Sequence, residues 1–270
     1  MESTLVSVIC PVYNGQEYIE CTIKSVLGQN YPFVEFIIVD GQSADDTISI
    51  IKKYEHKITL VISEPDQGMY DALVKGFSAA KGHIVCYINA GDLLNTFAIA
   101  TAVKLFESTD ALWITGCRSV CNEENVVTNV ELPFRYLNKL IQFGAYSKYL
   151  PWIQQESTFW RRSLLEHVDF NFLKTLKYSG DYYLWFCFSR EAQLEIVSCP
   201  FGYFKKHKNQ LSENIVAYRS EIKTFLKIRF SCLIVFELIF WALHPRIRQY
   251  FFKNIYRFNH ASQKWIKGGW

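Results

Sequence analysis

The sequence predicts an α/β fold, a Rossmann-like, mostly parallel sheet with helices on both faces and a helical extension at the C-terminal end. Three observations predict it. Short, near-continuously apolar runs alternate with amphipathic stretches through the first hundred residues, and each run stops at Pro, an acid or small residues. With 270 residues, 50% hydrophobic and 20% charged, the chain can bury one large core and carry an appended element.

Leu5-Val6-Ser7-Val8-Ile9-Cys10 is a β-branched run that ends at Pro11 and the turn-like Tyr13-Asn14-Gly15. From Glu17 to Leu27, Ile19, Ile23, Val26 and Leu27 recur at helical spacing, and Phe36-Ile37-Ile38-Val39 is a second strand ending at Asp40. This is a βαβ unit. Ser43 and Asp46 supply a cap and a first-turn acid for a helix to about Tyr54, and Ile58 to Ile62 reads as a third strand. A helix over Tyr70 to Ala80 stops at Lys81-Gly82, and Ile84 to Ile88 is the fourth strand.

Ligands of such sheets sit beyond the carboxyl ends of the strands. Pro11, Tyr13, Asp40, Ser63, Glu64, Asp66 and Asp92 all fall there, so the topology gathers them on one rim. Asp92 by itself reads equally as a hard oxygen ligand for Mg²⁺ or Mn²⁺ or as a cap for the helix beginning near Thr96. The sequence has neither GxGxxG nor GxxxxGK[ST], which argues against dehydrogenase and P-loop chemistry.

Three motifs in order carry a family resemblance: Ser7-Val8-Ile9-Cys10-Pro11-Val12-Tyr13-Asn14, Ile37-Ile38-Val39-Asp40-Gly41-Gln42-Ser43-Ala44-Asp45-Asp46-Thr47, and Ser63-Glu64-Pro65-Asp66-Gln67-Gly68-Met69-Tyr70-Asp71-Ala72. The chain resembles a family-2 glycosyltransferase of the GT-A fold, of the type that builds bacterial surface polysaccharide. Asn89-Ala90-Gly91-Asp92 occupies the place of that family's Asp-x-Asp metal motif, and the likeness reappears at Gly180-Asp181-Tyr182-Tyr183-Leu184-Trp185.

The resemblance implies transfer of a sugar, with inversion, from a nucleotide diphosphate to a hydroxyl of a saccharide or lipid-linked acceptor. It implies a catalytic domain over 1–219, with a donor half (1–115) and an acceptor half (116–219), and a basic amphipathic extension over 220–270. By similarity, Pro11, Tyr13, Asp40, Asp66, Asn89 and Ala90 bind the nucleotide sugar, and Asp92 holds Mg²⁺ or Mn²⁺ against the leaving diphosphate. Asn89 and Gly91 depart from the acidic pattern, leaving one carboxylate for the metal. Asp181 matches the general base; its other reading is an acid at a helix N-terminus, before Tyr182 to Arg190.

Gln154-Gln155-Glu156-Ser157-Thr158-Phe159 resembles a segment that often carries His where Gln154 stands. Gln155 and Glu156 are therefore acceptor candidates, with pairing to Arg161 or Arg162 and a second base as further readings of Glu156. Trp152, Trp160 and Trp185 read either as sugar platforms or as core. Lys205-Lys206-His207-Lys208 looks like the family's late loop, making His207 a candidate contact for metal or phosphate and the loop a candidate lid.

The eight cysteines are scattered without a CxxC and read as reduced thiols of a cytoplasmic protein. Met1-Glu2-Ser3-Thr4 does not resemble a signal peptide, which points to the cytosol or the inner face of the cell membrane. From residue 220 onward nine Lys/Arg face two Glu, a balance of +7, against −4 for 1–219 and +3 overall. Phe230 to Leu243 is apolar apart from Ser231 and Glu237, and basic residues flank it on both sides. About fourteen residues is too short to span a bilayer. An interfacial helix, giving peripheral membrane contact through 223–257, and a helix packed on the core remain as readings. The aromatic content argues against nucleic acid as partner. The alternative to a transferase is a degenerate family member that binds a nucleotide sugar or a partner enzyme without catalysis.

Overall fold

The computed structural model describes residues 3–132, 135–206, 210–243 and 255–268. The first half alternates as expected: β1 (Val6–Val12), α1 (Ile19–Leu27), β2 (Val34–Asp40), α2 (Thr47–Lys52), β3 (Leu60–Ser63), α3 (Met69–Ala79) and β4 (Ile84–Tyr87). Next come β5 (Leu93–Leu94), α4 (Ala98–Ser108), β6 (Trp113–Thr115), β7 (Arg118–Cys121) and β8 (Val127–Glu131). Beyond them lie α5 (Asn138–Gln142), β9 (Thr158–Arg161), α6 (Phe170–Leu173), α7 (Gly180–Glu191), β10 (Glu195–Val197) and β11 (Gly202–Lys205). The described chain ends with α8 (Ile215–Phe225), α9 (Cys232–Ala242), β12 (Ile255–Asn259) and β13 (Lys264–Lys267).

Among the described residues the main sheet has nine strands in the order β13-β12-β10-β6-β9-β4-β1-β2-β3. β1 pairs in parallel with β2 and β4, and β2 with β3, so four strand ends point the same way. β9 runs antiparallel between β4 and β6. A smaller sheet, β5-β11-β7-β8, covers the rim beside β4.

β1 is buried along its whole length because both faces of the sheet are covered. Val8 and Cys10 point into one core with Ile19 and Ile23 of α1 and Ile99 of α4. Ile9 points into the other, with Leu73 and Phe77 of α3 and the aromatic side chains of α7. Burial pushes the Cys10 and Cys86 thiols well up, and all eight cysteines are free.

Two expectations are corrected. Asp46 precedes α2, but its side chain caps nothing; the Ser43 hydroxyl accepts the Asn14 N–H at 2.7 Å, tying the loop after β2 to the loop after β1. The 220–270 extension is not wholly helical, and the 219/220 boundary falls inside α8. Ile255–Asn259 pairs in parallel with β10 and continues the main sheet, with Lys264–Lys267 as its hairpin partner. Ile255 and Tyr256 are buried there, so the end of the chain contributes core residues.

Candidate active site

The rim above β1, β2 and β4 holds the expected donor residues. Pro11 is buried within β1, whereas Tyr13 stands 65% exposed, its ring free to cover a flat group. Asp40 ends β2 fully buried, accepting the Ser63 hydroxyl at 2.8 Å and the Ser43 N–H at 3.1 Å. These bonds fix the carboxylate between two strand ends. Asp66 accepts the Gly68 N–H at 2.9 Å, and burial raises its pKa. It lies so close to Gly41 that a Cβ there would meet its Oδ2 at 2.5 Å.

The turn Asn89-Ala90-Gly91-Asp92 is stapled by Thr22 of α1, a residue no motif signalled. The Thr22 hydroxyl accepts the Gly91 N–H at 2.8 Å and donates to the Asp92 carbonyl at 2.8 Å. Gly91 has φ 112, a conformation that disfavours any side chain, so the missing acid at this position also has a local backbone reason. Asp92 is 3% exposed, and one carboxylate oxygen accepts the Lys205 N–H at 2.9 Å. The Lys205 ammonium is itself buried, 3.9 Å from the Cys21 Sγ. Lys205 thus belongs to β11 and braces the turn instead of opening a loop. His207 lies outside the described residues.

Glu156 approaches this turn from the 3-10 segment before β9. Burial, then the negative charge of Glu156, raises the Asp92 carboxyl well above the usual carboxylate range. Burial likewise lifts Glu156 to about 7, with the Gln154 amide among the groups holding it down. The expected pairing of Glu156 with Arg161 is not formed: that guanidinium donates to the carbonyls of Phe106, Thr109 and Ala111. Gln155 is 7% exposed and spends its amide internally, donating to the Tyr87 carbonyl and accepting from Asn89 Nδ2 at 3.3 Å. It orients Asn89 and is corrected from an acceptor contact to a brace.

The donor set fits a divalent cation. Asn89 Oδ1 is buried without a hydrogen-bond partner, beside an Asp92 carboxyl on which the Glu156 charge bears, and hard oxygen donors are what Mg²⁺ and Mn²⁺ take. Among the described residues no three His, Cys, Asp or Glu side chains form a complete cage, so water and phosphate would supply the remaining positions.

Asp181 stands in the first turn of α7. Burial raises it to about 6, while the Tyr182 N–H and the Tyr218 hydroxyl, 3.4 Å from Oδ2, hold it down. Gly180 is a glycine because the Tyr70 ring lies against it: a Cβ would meet that ring at 2.4 Å. The donor-half motif containing Tyr70 therefore packs directly on the helix that carries Asp181. Glu221 of α8, another residue without a sequence signal, accepts the N–H groups of Lys177, Tyr178 and Ser179 at 2.7–2.8 Å and the Ser179 hydroxyl at 2.9 Å. It clamps the segment that presents Asp181.

Trp185 is corrected: it is 1% exposed, stacked on Trp113 at 5.7 Å and edge-on to Trp160, so it is core and no sugar reaches it. Trp160 is equally buried. Trp152 is 38% exposed and lies on the Tyr218 ring at 5.3 Å.

A sheet whose strand ends carry a nucleotide-type rim, a carboxylate turn and a separate raised carboxylate is joined by a match of residues 7–168 to the family model for Glycosyl transferase family 2. The chain belongs to glycosyl transferase family 2. The family match stops short of Asp181, which rests on the structure and the local motif. Among curated relatives, an Escherichia coli protein, the UDP-Glc:α-D-GlcNAc-diphosphoundecaprenol β-1,3-glucosyltransferase WfgD, is 24% identical over 78% of this chain and 80% of its own length. The putative teichuronic acid biosynthesis glycosyltransferase TuaG of Bacillus subtilis is 42% identical over 33% of this chain and 36% of its own. S. aureus TarS in complex with UDP-GlcNAc superposes with a TM-score of 0.59 at 17% identity, covering 93% of this chain and 72% of TarS. The mannosyltransferase PcManGT from Pyrobaculum calidifontis, in complex with GDP-Man and Mn²⁺, gives 0.57 at 18%, covering 92% and 72%. This family-2 glycosyltransferase therefore shares their GT-A fold, and these relatives lend no support to a non-catalytic reading.

Proposed function

We propose that this glycosyltransferase moves a sugar, with inversion, from a nucleotide diphosphate sugar to a hydroxyl of a lipid-linked saccharide in the synthesis of a surface polysaccharide. Asp181 supports this reading most directly. It is a carboxylate raised to about 6, at a helix N-terminus that Glu221 clamps and against which Tyr70 of the donor-half motif packs. Such a group is ionised near neutral pH and still a useful proton acceptor.

In the proposed reaction the nucleotide rests on Pro11, Tyr13, Asp40 and Asp66, with Asn89 and Ala90 against the ribose and diphosphate. Asp181 takes the proton of the acceptor hydroxyl as that oxygen attacks the anomeric carbon from the face opposite the diphosphate. The bond from the anomeric carbon to the diphosphate oxygen breaks, and its electron pair leaves with the nucleotide. Mg²⁺ or Mn²⁺ held by Asp92 and Asn89 would neutralise the charge building on the diphosphate. The Glu156 charge bears on Asp92 and feels that of Asp181; its burial and Gln154 contact suit a structural carboxyl better than a second base.

The membrane contact proposed for 223–257 rests on α9. The Glu237 carboxylate, 1% exposed, pairs with Arg135 and anchors one face of α9 to the body. On the other face Phe236 is 65% and Ile239 58% exposed. An apolar face beside basic residues suits the headgroup boundary of an anionic bilayer. No described helix is long and apolar enough to cross a membrane, and residues 244–254 of that stretch lie outside the described residues. Action at the inner face of the cell membrane fits this arrangement.

Calorimetric titration with a panel of nucleotide diphosphates and nucleotide sugars, with and without Mn²⁺, tests the donor side. One nucleotide sugar binds, Mn²⁺ tightens it, and Asp92→Ala removes about 10- to 100-fold of affinity in Mn²⁺. Absence of nucleotide binding under every condition would refute the transferase reading.

A further inference from the structure

Beside the base helix lies a cavity of about 400 Å³ lined by Lys148, Arg219, Lys223, Leu226, Lys227 and Ile228. Four of its six lining residues are cations. Among the described residues none of the four forms an ion pair with a carboxylate. The acid nearest in sequence, Glu221, is committed elsewhere, accepting the backbone N–H groups of residues 177–179. Arg219 Nε donates to the Ser147 carbonyl at 3.1 Å, which fixes its guanidinium beside Lys148.

Arg219 and Lys223 are four residues apart on one face of α8, a like-charge spacing that costs stability unless an anion lies between them. The C-terminal dipole of α8 favours Lys223 alone, since it acts only within the last turn. Arg and Lys side chains around one cavity, without carboxylate partners and beside Leu226 and Ile228, are the donor set for a phosphate oxyanion, the Lys148 ammonium also lying 4.7 Å from the Tyr149 ring centre.

The surroundings of the cavity indicate whose phosphate. On one side Arg219 adjoins Tyr218, which touches Asp181 and carries the exposed Trp152. On the other, Ile228 is two residues, about 7 Å of chain, from Phe230, which is 65% exposed and packs edge-on to Tyr149 before the apolar face of α9 begins. The surface thus runs from base to cations to apolar helix. A lipid-linked saccharide has the same covalent order: reacting sugar, phosphate, lipid.

We infer that the Lys148, Arg219, Lys223 and Lys227 cavity binds the phosphate or diphosphate that joins the acceptor sugar to its lipid. The inference rests on the proposed transfer to a lipid-linked saccharide. It gives the chain a second anion site, separate from the donor diphosphate at Asp92, and a way to hold the acceptor hydroxyl near Asp181 while the lipid stays at the membrane.

The test is residue-resolved lysine acetylation of the full chain, read by mass spectrometry, with inorganic pyrophosphate as the probe. Pyrophosphate slows acetylation of Lys148, Lys223 and Lys227 about fivefold or more and leaves the exposed, distant Lys52 and Lys264 unchanged. In the double variant Lys223→Gln, Lys227→Gln, both exposed positions, protection of Lys148 by pyrophosphate falls below about twofold, while affinity for the nucleotide diphosphate that binds the wild type stays within about twofold. Equal protection at Lys52, or none at the cavity, overturns the site. Protection by phosphatidylglycerol vesicles but not by pyrophosphate overturns the acceptor assignment and makes the cavity a headgroup contact. Because the footprint needs no turnover, failure of sugar transfer with the footprint intact would count against the proposed function alone.

Discussion

The proposed donor rim and the proposed base side of this enzyme are built by opposite means. The rim is made of consecutive strand ends: Val12, Asp40 and Ser63 stand side by side in register because β1, β2 and β3 are parallel neighbours. Its geometry follows from the sheet itself. The base side is assembled from separate pieces of chain: Asp181 on α7, Tyr218 and Glu221 on α8, Trp152 in a loop and Tyr70 from the donor half. The difference teaches that a parallel sheet fixes a nucleotide site almost automatically, whereas a catalytic base placed opposite it needs side-chain clamps of its own.

The largest effect should come from breaking the base side without touching the rim. Asp181→Asn keeps the shape and removes the proton acceptor, so kcat falls about 10²- to 10⁴-fold in a transfer assay. A variant that keeps wild-type turnover would move the base elsewhere, with Glu156 next in line. A smaller loss is expected from the clamp. Glu221→Gln keeps the volume but offers only one accepting oxygen, so kcat drops about tenfold while the donor Kd is unchanged. Equal losses in both would make Glu221 a fold residue only.

The smallest effect is on pH. As the proposed base, Asp181 must be ionised, and burial raises its pKa, so activity should be lost earlier as pH falls than with an ordinary Asp. The acid limb of kcat/KM should lie at about 6. Glu221 adds to that rise through its charge, so Glu221→Gln shifts the limb to lower pH. A limb below pH 5 in the wild type would show that a less buried carboxylate does the work.

The same contrast explains what could be read from the sequence. β1, β2 and β4, the helices between them and the positions of Asp40 and Asp92 follow from local periodicity and from residues that stop strands. Thr22, Tyr218 and Glu221 could not be found that way, because each acts through a hydrogen bond to a group distant in sequence. Trp185 looked like Trp152 in the sequence; only packing against Trp113 distinguishes a core ring from a surface one. The C-terminal hairpin escaped because β12 joins the sheet beside β10, where Ile255 pairs with Ile196, and that long-range pairing leaves no local periodicity to read.

The division between rim and base side is tested most directly by titrating Asp181→Asn and Asp92→Ala with the selected nucleotide sugar in Mn²⁺, beside the wild type. Donor affinity within twofold of wild type for Asp181→Asn, with a loss of about 10- to 100-fold for Asp92→Ala, is the predicted result. Equal losses of affinity in the two variants would contradict it, since donor and base would then share one site.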